Sequence, residues 1–196
     1  MGRAGTQDVH DVQRAMEHFV LSENSPFDAK RVFATGGSHG GFITCHLIGQ
    51  FPAVYRAAAV RNPVTNVATQ FFTSDIPLWG CAVSGVTDLA FAVQPEYSDV
   101  TTASYSETPL ASSLMHFLAV SPMGNDLTCI KTPILFGLGG KDRRVPATEG
   151  LQMYKCLKAL GVPTSVLWYP NDGHPLSSPE AYGDYAVRSL DWLLQY

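Results

Sequence analysis

Apolar positions along the chain form short runs that alternate with helical stripes. From Asp8 to Leu21, the residues Val9, Val12, Met16, Phe19 and Val20 recur at three- and four-residue spacing, which predicts an amphipathic helix. Ser25-Pro26-Phe27-Asp28 breaks that pattern. Arg31 to Thr35 then reads as a short buried strand that ends at Gly36-Gly37. Gly40 to Gln50 returns to helix, with Pro52 beyond its end. Ala57 to Val60 is a second apolar strand, stopped by Arg61-Asn62-Pro63. Ile134 to Leu138 is a third, closed by Gly139-Gly140. A helix follows over Ala147 to Leu160, with Gly161 as its C′ glycine. Ser165 to Tyr169 makes a fourth strand, and Glu180 to Leu194 a final helix.

Strands that alternate with helices predict β-α-β units and a mostly parallel sheet with helices on both faces. Such sheets gather their ligand sites at the carboxyl ends of the strands. The stretch from about 80 to 118 breaks the alternation. It is rich in Ser, Thr and Ala, and is expected to be a variable excursion that covers the site.

Composition narrows the class. The 196 residues suffice for one domain with a real core, and 45% apolar against 15% charged residues excludes a disordered chain. A net charge of −4 gives no electrostatic basis for binding nucleic acid or an anionic membrane. No apolar run is long enough to cross a bilayer, and the start, Met1 to Thr6, lacks the apolar segment of a signal peptide. Cys45, Cys81, Cys129 and Cys156 lie far apart and are expected to be thiols, as in a cytoplasmic protein.

Candidate chemistry lies where the first strand meets its helix. Gly36-Gly37-Ser38-His39-Gly40 fits G-x-S-x-G, and its strand-to-helix context is that of the nucleophile elbow of the α/β-hydrolase fold. Glycines flanking such a turn avoid collisions, and the turn lifts the serine hydroxyl clear of the sheet. The helix N-terminus then faces a developing oxyanion, with the backbone N–H of His39 as one donor. A serine hydroxyl needs a base, and the base an orienting carboxylate. Asp142 follows the third strand and His174 the fourth, which gives the order Ser, Asp, His of this fold. Asp172 is a competing carboxylate. Asp142 is favoured because it comes from a different loop than the histidine. His10, His18, His46 and His116 are expected in surface or hydrogen-bonded roles. No H-E-x-x-H spacing and no phosphate-binding glycine loop occurs, so neither a metal nor another cofactor is expected.

At these residues the sequence resembles the acylaminoacyl peptidase (acyl-peptide hydrolase) branch of the prolyl oligopeptidase family. The elbow extended to Gly41-Phe42, Cys45 to Gln50, Tyr55-Arg56-Ala57, Arg61-Asn62-Pro63-Val64, Ser74-Asp75-Ile76-Pro77, Lys131-Thr132-Pro133, Asp142 to Pro146 and His174 carry the likeness. So do Gln7-Asp8-Val9 and Asp11-Val12-Gln13. The resemblance implies a cytoplasmic serine exopeptidase that removes an N-acylated amino acid from short blocked peptides, without a cofactor. Ser38, Asp142 and His174 inherit the roles of nucleophile, acid and base. Phe42, Ile76 and Trp79 are candidate walls of an apolar substrate pocket.

Family members also carry an N-terminal β-propeller, early sheet strands and an H-G-G-type loop that supplies a second oxyanion N–H. None of these is found in the 196 residues. The chain is therefore expected to be a partial catalytic domain over 1–196. Its open sheet edge favours self-association into a homo-oligomer. Two other functions remain open: a dipeptidyl- or oligopeptidase or esterase with the same triad, and a non-catalytic fragment.

Overall fold

The first strand does not stop at its glycines. In the computed structural model, which describes residues 2–20, 22, 24–86 and 111–196, β1 spans Phe33–Gly37. Gly36 and Gly37 pair in register with Val60 and Arg61 of β2 (Ala57–Arg61), and this ladder overrides the poor intrinsic strand preference of glycine. β3 (Ile134–Gly139) and β4 (Thr164–Tyr169) complete a sheet of order β1-β2-β3-β4, parallel throughout.

Register divides the strand residues between two faces. Ala34, Ala58, Val60, Ile134, Phe136 and Leu138 share one face. They form the main core with Cys45, Leu47 and Ile48 of α2 (His39–Gln50) and with Met153 and Leu157 of α6 (Thr148–Ala159). The opposite face meets α7 (Pro179–Gln195), where the Tyr185 ring occupies the space that a side chain at Gly137 would need. Burial raises the Tyr185 hydroxyl to about 12. Helices thus lie on both faces, as a parallel sheet requires. α6 ends as expected, with Gly161 in the left-handed region at φ 78°.

α1 (Gln7–Val20) departs from the pattern that predicts it. It buries Val9 and Gln13, whose Oε1 accepts a 2.8 Å hydrogen bond from the Tyr55 hydroxyl. Val12 and Phe19 on the apolar stripe are 42% and 64% exposed. α1 rests on α2, and its stripe is covered only in part, with Met16 and Val20 half-buried. Leu21, the expected last residue of this helix, lies outside the described residues.

Between β2 and β3 the described residues form three short α-helices: α3 (Val67–Thr73), α4 (Leu78–Ser84) and α5 (Ala111–Ala119). They enclose a second core of Phe42, Val64, Val67, Cys81, Phe117 and Val145. α4 and α5 flank and partly occupy the expected excursion, whose central residues 87–110 lie outside the described residues. Among the described residues no helix is long and apolar enough to cross a membrane.

One buried carboxylate ties this helical layer to the sheet. Glu149, 1% exposed in the first turn of α6, accepts from the N–H groups of Thr65 and Asn66 at 2.9 and 2.7 Å and from the Thr65 hydroxyl, all through Oε2. Its Oε1 is buried without a partner. Burial pushes the carboxyl up to about 7, against the pull of those donors. The folded state therefore binds a proton that the unfolded chain releases between about pH 4.5 and 7. Stability from this group is full below that window and is lost as pH rises through it. Glu149→Gln keeps an acceptor for both N–H groups and removes the titration. Urea unfolding is expected to show the variant gaining about 2–3 kcal/mol relative to wild type between pH 5 and pH 8.

Candidate active site

Ser38 alone turns the chain from β1 into α2. Its backbone sits at φ 57°, ψ −122°, a region that residues with side chains avoid. Three bonds hold it there: its N–H donates to the Arg61 carbonyl at 2.9 Å, and its own carbonyl accepts from the N–H groups of Phe42 at 3.0 Å and Val64 at 3.4 Å. A Cβ at Gly36 would run into the Gly40 carbonyl, and one at Gly41 would lie 2.7 Å from the Pro63 Cβ. Gly40 has open space around it, so steric need falls on Gly36 and Gly41 rather than on both flanking glycines of the motif. The His39 N–H lies in the first turn of α2, where amides have no intrahelical partner. The Ser38 hydroxyl has no hydrogen-bond partner among the described residues.

Asp142 and His174 meet above the ends of β3 and β4. The Asp142 side chain is fully buried, and its Oδ1 accepts from the N–H groups of Arg144 and Val145 at 2.8 and 2.9 Å. Its Oδ2 receives Nδ1 of His174 at 2.7 Å. A carboxylate accepts only, so this contact puts the imidazole proton on Nδ1 and leaves Nε2 as the acceptor of the neutral ring. Asp172 is engaged elsewhere: Oδ1 accepts from the Ser178 N–H and Oδ2 from the Ser178 hydroxyl, both at 2.9 Å. It shapes the turn into α7, and Asp142 is the carboxylate on the histidine. Asp75 braces the Asp142 loop from outside. Its carboxylate accepts from Arg144 Nε at 2.8 Å, and its N–H donates to the Arg143 carbonyl. The Arg144 guanidinium holds the Asp75 carboxyl below its ordinary range.

The remaining sequence candidates lie on one side of the turn. The His39 ring stacks on Phe42 at 5.2 Å and meets Trp79 edge-on at 5.5 Å. Phe42 has no exposed surface and belongs to the second core, whereas Ile76 and Trp79 are half-buried. His46 is buried on α2 with Nε2 3.0 Å from the Val120 carbonyl, and His116 Nε2 lies 2.9 Å from the Ser84 carbonyl. Desolvation by burial lowers the His46 pKa, against the pull of the Val120 carbonyl and Asp8. The thiol of Cys45 is pushed up to about 12 by burial, which makes it unreactive.

Sequence reading did not single out two nearby side chains for a role. Asp8 places Oδ2 3.1 Å from Nε2 of His39. In the sequence it appears within Gln7-Asp8-Val9, part of the family likeness, with no role attached. Asn62 is 1% exposed at φ 42°, and its amide reaches the backbone of the His174 loop. Its sequence signals are the stop after the second strand and the Arg61-Asn62-Pro63-Val64 likeness, neither of which says what its amide bonds. Among the described residues, no three His, Cys, Asp or Glu side chains converge to hold a metal.

The prolyl oligopeptidase family matches over residues 1–196. Acylamino-acid-releasing enzyme from Rattus norvegicus is 41% identical over 192 residues, 98% of this chain and 24% of the rat protein. The Arabidopsis thaliana enzyme of the same name is 40% identical over 195 residues, 23% of its length. The chain thus spans about a quarter of the curated relatives it matches. Among solved structures, acylaminoacyl peptidase from Pyrococcus horikoshii superposes with a TM-score of 0.76 at 23% identity, over 97% of this chain and 28% of that one. Puromycin hydrolase gives 0.75 at 20% identity, over 99% and 26%. These two likenesses bear on the fold alone. With a parallel sheet covered on both faces and a strained serine between β1 and α2, the chain has the α/β-hydrolase fold and belongs to the prolyl oligopeptidase family.

Proposed function

We propose that these residues form part of the catalytic domain of a serine-type exopeptidase that releases an N-acylated, typically N-acetylated, amino acid from a short blocked peptide. The Asp142–His174 hydrogen bond, together with a strained Ser38 at the turn from β1 into α2, carries this reading. The names of the relatives at 40–41% identity favour the blocked substrate. Free cysteines at all four positions fit a cytoplasmic setting.

The chemistry follows from the acceptor character of His174 Nε2. The ring takes the Ser38 proton as Oγ attacks the carbonyl carbon of the acylated residue, and Asp142 stabilises the imidazolium that forms. The imidazolium then protonates the departing amine, leaving an acyl-enzyme on Ser38. Water, deprotonated by the same nitrogen, hydrolyses the ester and frees the acylamino acid. The His39 N–H at the α2 N-terminus donates to the oxyanion in both steps. Phe42 backs the pocket that Ile76 and Trp79 line.

A fluorophosphonate is expected to add one adduct by intact mass to the wild-type protein and none to Ser38→Ala; labelling of folded Ser38→Ala would remove Ser38 from the nucleophile role. Asp142→Asn leaves the shape of the loop but loses the carboxylate that fixes the tautomer, and kcat is expected to fall by ~10⁴-fold. Acetyl-alanyl p-nitroanilide is expected to be cleaved well ahead of alanyl p-nitroanilide and at a rate that simple esters do not explain. Equal rates on blocked and free amines would instead point to a dipeptidyl- or oligopeptidase, and turnover of esters alone to an esterase.

A further inference from the structure

The Asp142–His174 contact is made, whereas the Ser38 hydroxyl has no hydrogen-bond partner among the described residues. Whether the imidazole can reach the hydroxyl is therefore decided by how the loops that carry them are held. Both loops, and the end of β3, are tied to one dipeptide at the end of β2. The Ser38 N–H donates to the Arg61 carbonyl at 2.9 Å. Asn62 Nδ2 donates to the carbonyls of His174 at 2.8 Å and Gly173 at 3.3 Å. Asn62 Oδ1 accepts from the Gly139 N–H at 2.8 Å, and the Gly139 carbonyl accepts from the Asp142 N–H at 3.2 Å. Arg61 adds a guanidinium donation to the Pro175 carbonyl. Three successive carbonyls of the histidine loop are thus held by two successive residues.

Resting on the peptidase reading, we propose that Asn62 is a positioning residue that sets the His174 loop against the Ser38 turn. The residue type fits the demand. Its backbone lies in the left-handed region at φ 42°, which asparagine tolerates better than most residues with side chains. Its carboxamide supplies two donors and an acceptor, and the site uses both functions. At 1% exposure, water does not replace these bonds when they are lost. Proximity chemistry is steep, and a misplacement of about 1 Å costs on the order of 10²-fold in rate.

Two variants test it in the full-length protein. Asn62→Gly keeps the left-handed backbone and loses all the side-chain bonds. Asn62→Asp keeps the acceptor for Gly139 and turns the donor into an oxygen facing two carbonyls. For variants that melt cooperatively, kcat on acetyl-alanyl p-nitroanilide is expected to fall about 30- to 100-fold with KM within about threefold. The fluorophosphonate labelling rate should fall by the same factor. Asn62→Asp should also raise the pH midpoint of labelling, because a carboxylate beside the His174 loop favours the imidazolium. A folded variant with kcat and labelling rate within threefold of wild type would overturn the proposal. If one variant does not fold, the other decides.

An ¹⁵N titration of the His174 ring separates this question from the activity. If wild type shows no Ser38-dependent reaction, the peptidase reading fails, yet the ring signal still reports on Asn62. A midpoint raised in Asn62→Asp and resonances broadened in Asn62→Gly support the role; an unchanged His174 titration in both overturns it.

Discussion

A single residue with a side chain turns a buried parallel strand into a buried helix at Ser38, and the surrounding structure is arranged to hold that turn. Backbone strain of this kind costs about 1–3 kcal/mol and persists only where the neighbours leave no alternative. Here β1 is fixed by its ladder to β2, and α2 is fixed by Phe42, Cys45, Leu47 and Ile48, all at 3% exposure or less. Close approach at Gly36 and Gly41 lets the helix start directly above the strand end and against Pro63. Relaxing the turn would mean moving one of two elements that the core does not release. The consequence is chemical: among the described residues the hydroxyl is left without a hydrogen-bond partner on a half-buried turn.

Much of this was readable from residue order. Periodicity located all four strands and the helices α1, α2, α6 and α7, because each long helix carries several turns of pattern and each strand is a compact apolar run. The errors have local causes. β1 extends into Gly36-Gly37 because pairing, not propensity, decides a central ladder. α3 and α4 have seven residues each, too few turns to show a stripe against the noise of sequence. α1 shows a stripe that its contacts only partly use, since periodicity tells which face is apolar and not what covers it. At the site, the order Ser, Asp, His and the placement of each after a strand identified the candidates. Sequence favoured Asp142 over Asp172 because it lies in a different loop from the histidine, and the observed contacts pair Asp142 with His174 and Asp172 with Ser178. Asn62 was visible in the Arg61-Asn62-Pro63-Val64 likeness, but its bonds were not, because they depend on which distant carbonyls its amide meets.

The two buried carboxylates, Asp142 and Glu149, show how placement changes the meaning of one chemical group. Asp142 has both oxygens engaged, one by the N–H groups of its own loop and the other by the imidazole. Its geometry is that of a fixed acceptor. Glu149 concentrates its donors on Oε2 and leaves Oε1 buried and empty, so desolvation outweighs hydrogen bonding and its carboxyl rises to about 7. Glu149 holds the segment that leaves the site toward α3, the helix whose residue Val67 shares the second core with Phe42. A carboxylate with one empty oxygen is a costly way to hold such a segment, and it leaves that segment sensitive to pH near neutrality.

Parallel topology explains why the candidate chemistry collects at one end. Every strand of the sheet points the same way, so the four carboxyl ends form one rim. β1 delivers Ser38, β2 delivers Asn62, β3 delivers Asp142 and β4 delivers His174, each within about five residues of its strand end. Side chains far apart in sequence therefore need no long reach to meet, only short loops that agree on their spacing. Loops of this length cannot be independent: Lys141 N–H bonds the Asp172 carbonyl, and Asn62 N–H bonds the Gly137 carbonyl. The rim acts as one hydrogen-bonded object. These bonds between the four corners are the physical basis of the positioning role proposed for Asn62, a residue that joins the ends of β2, β3 and β4.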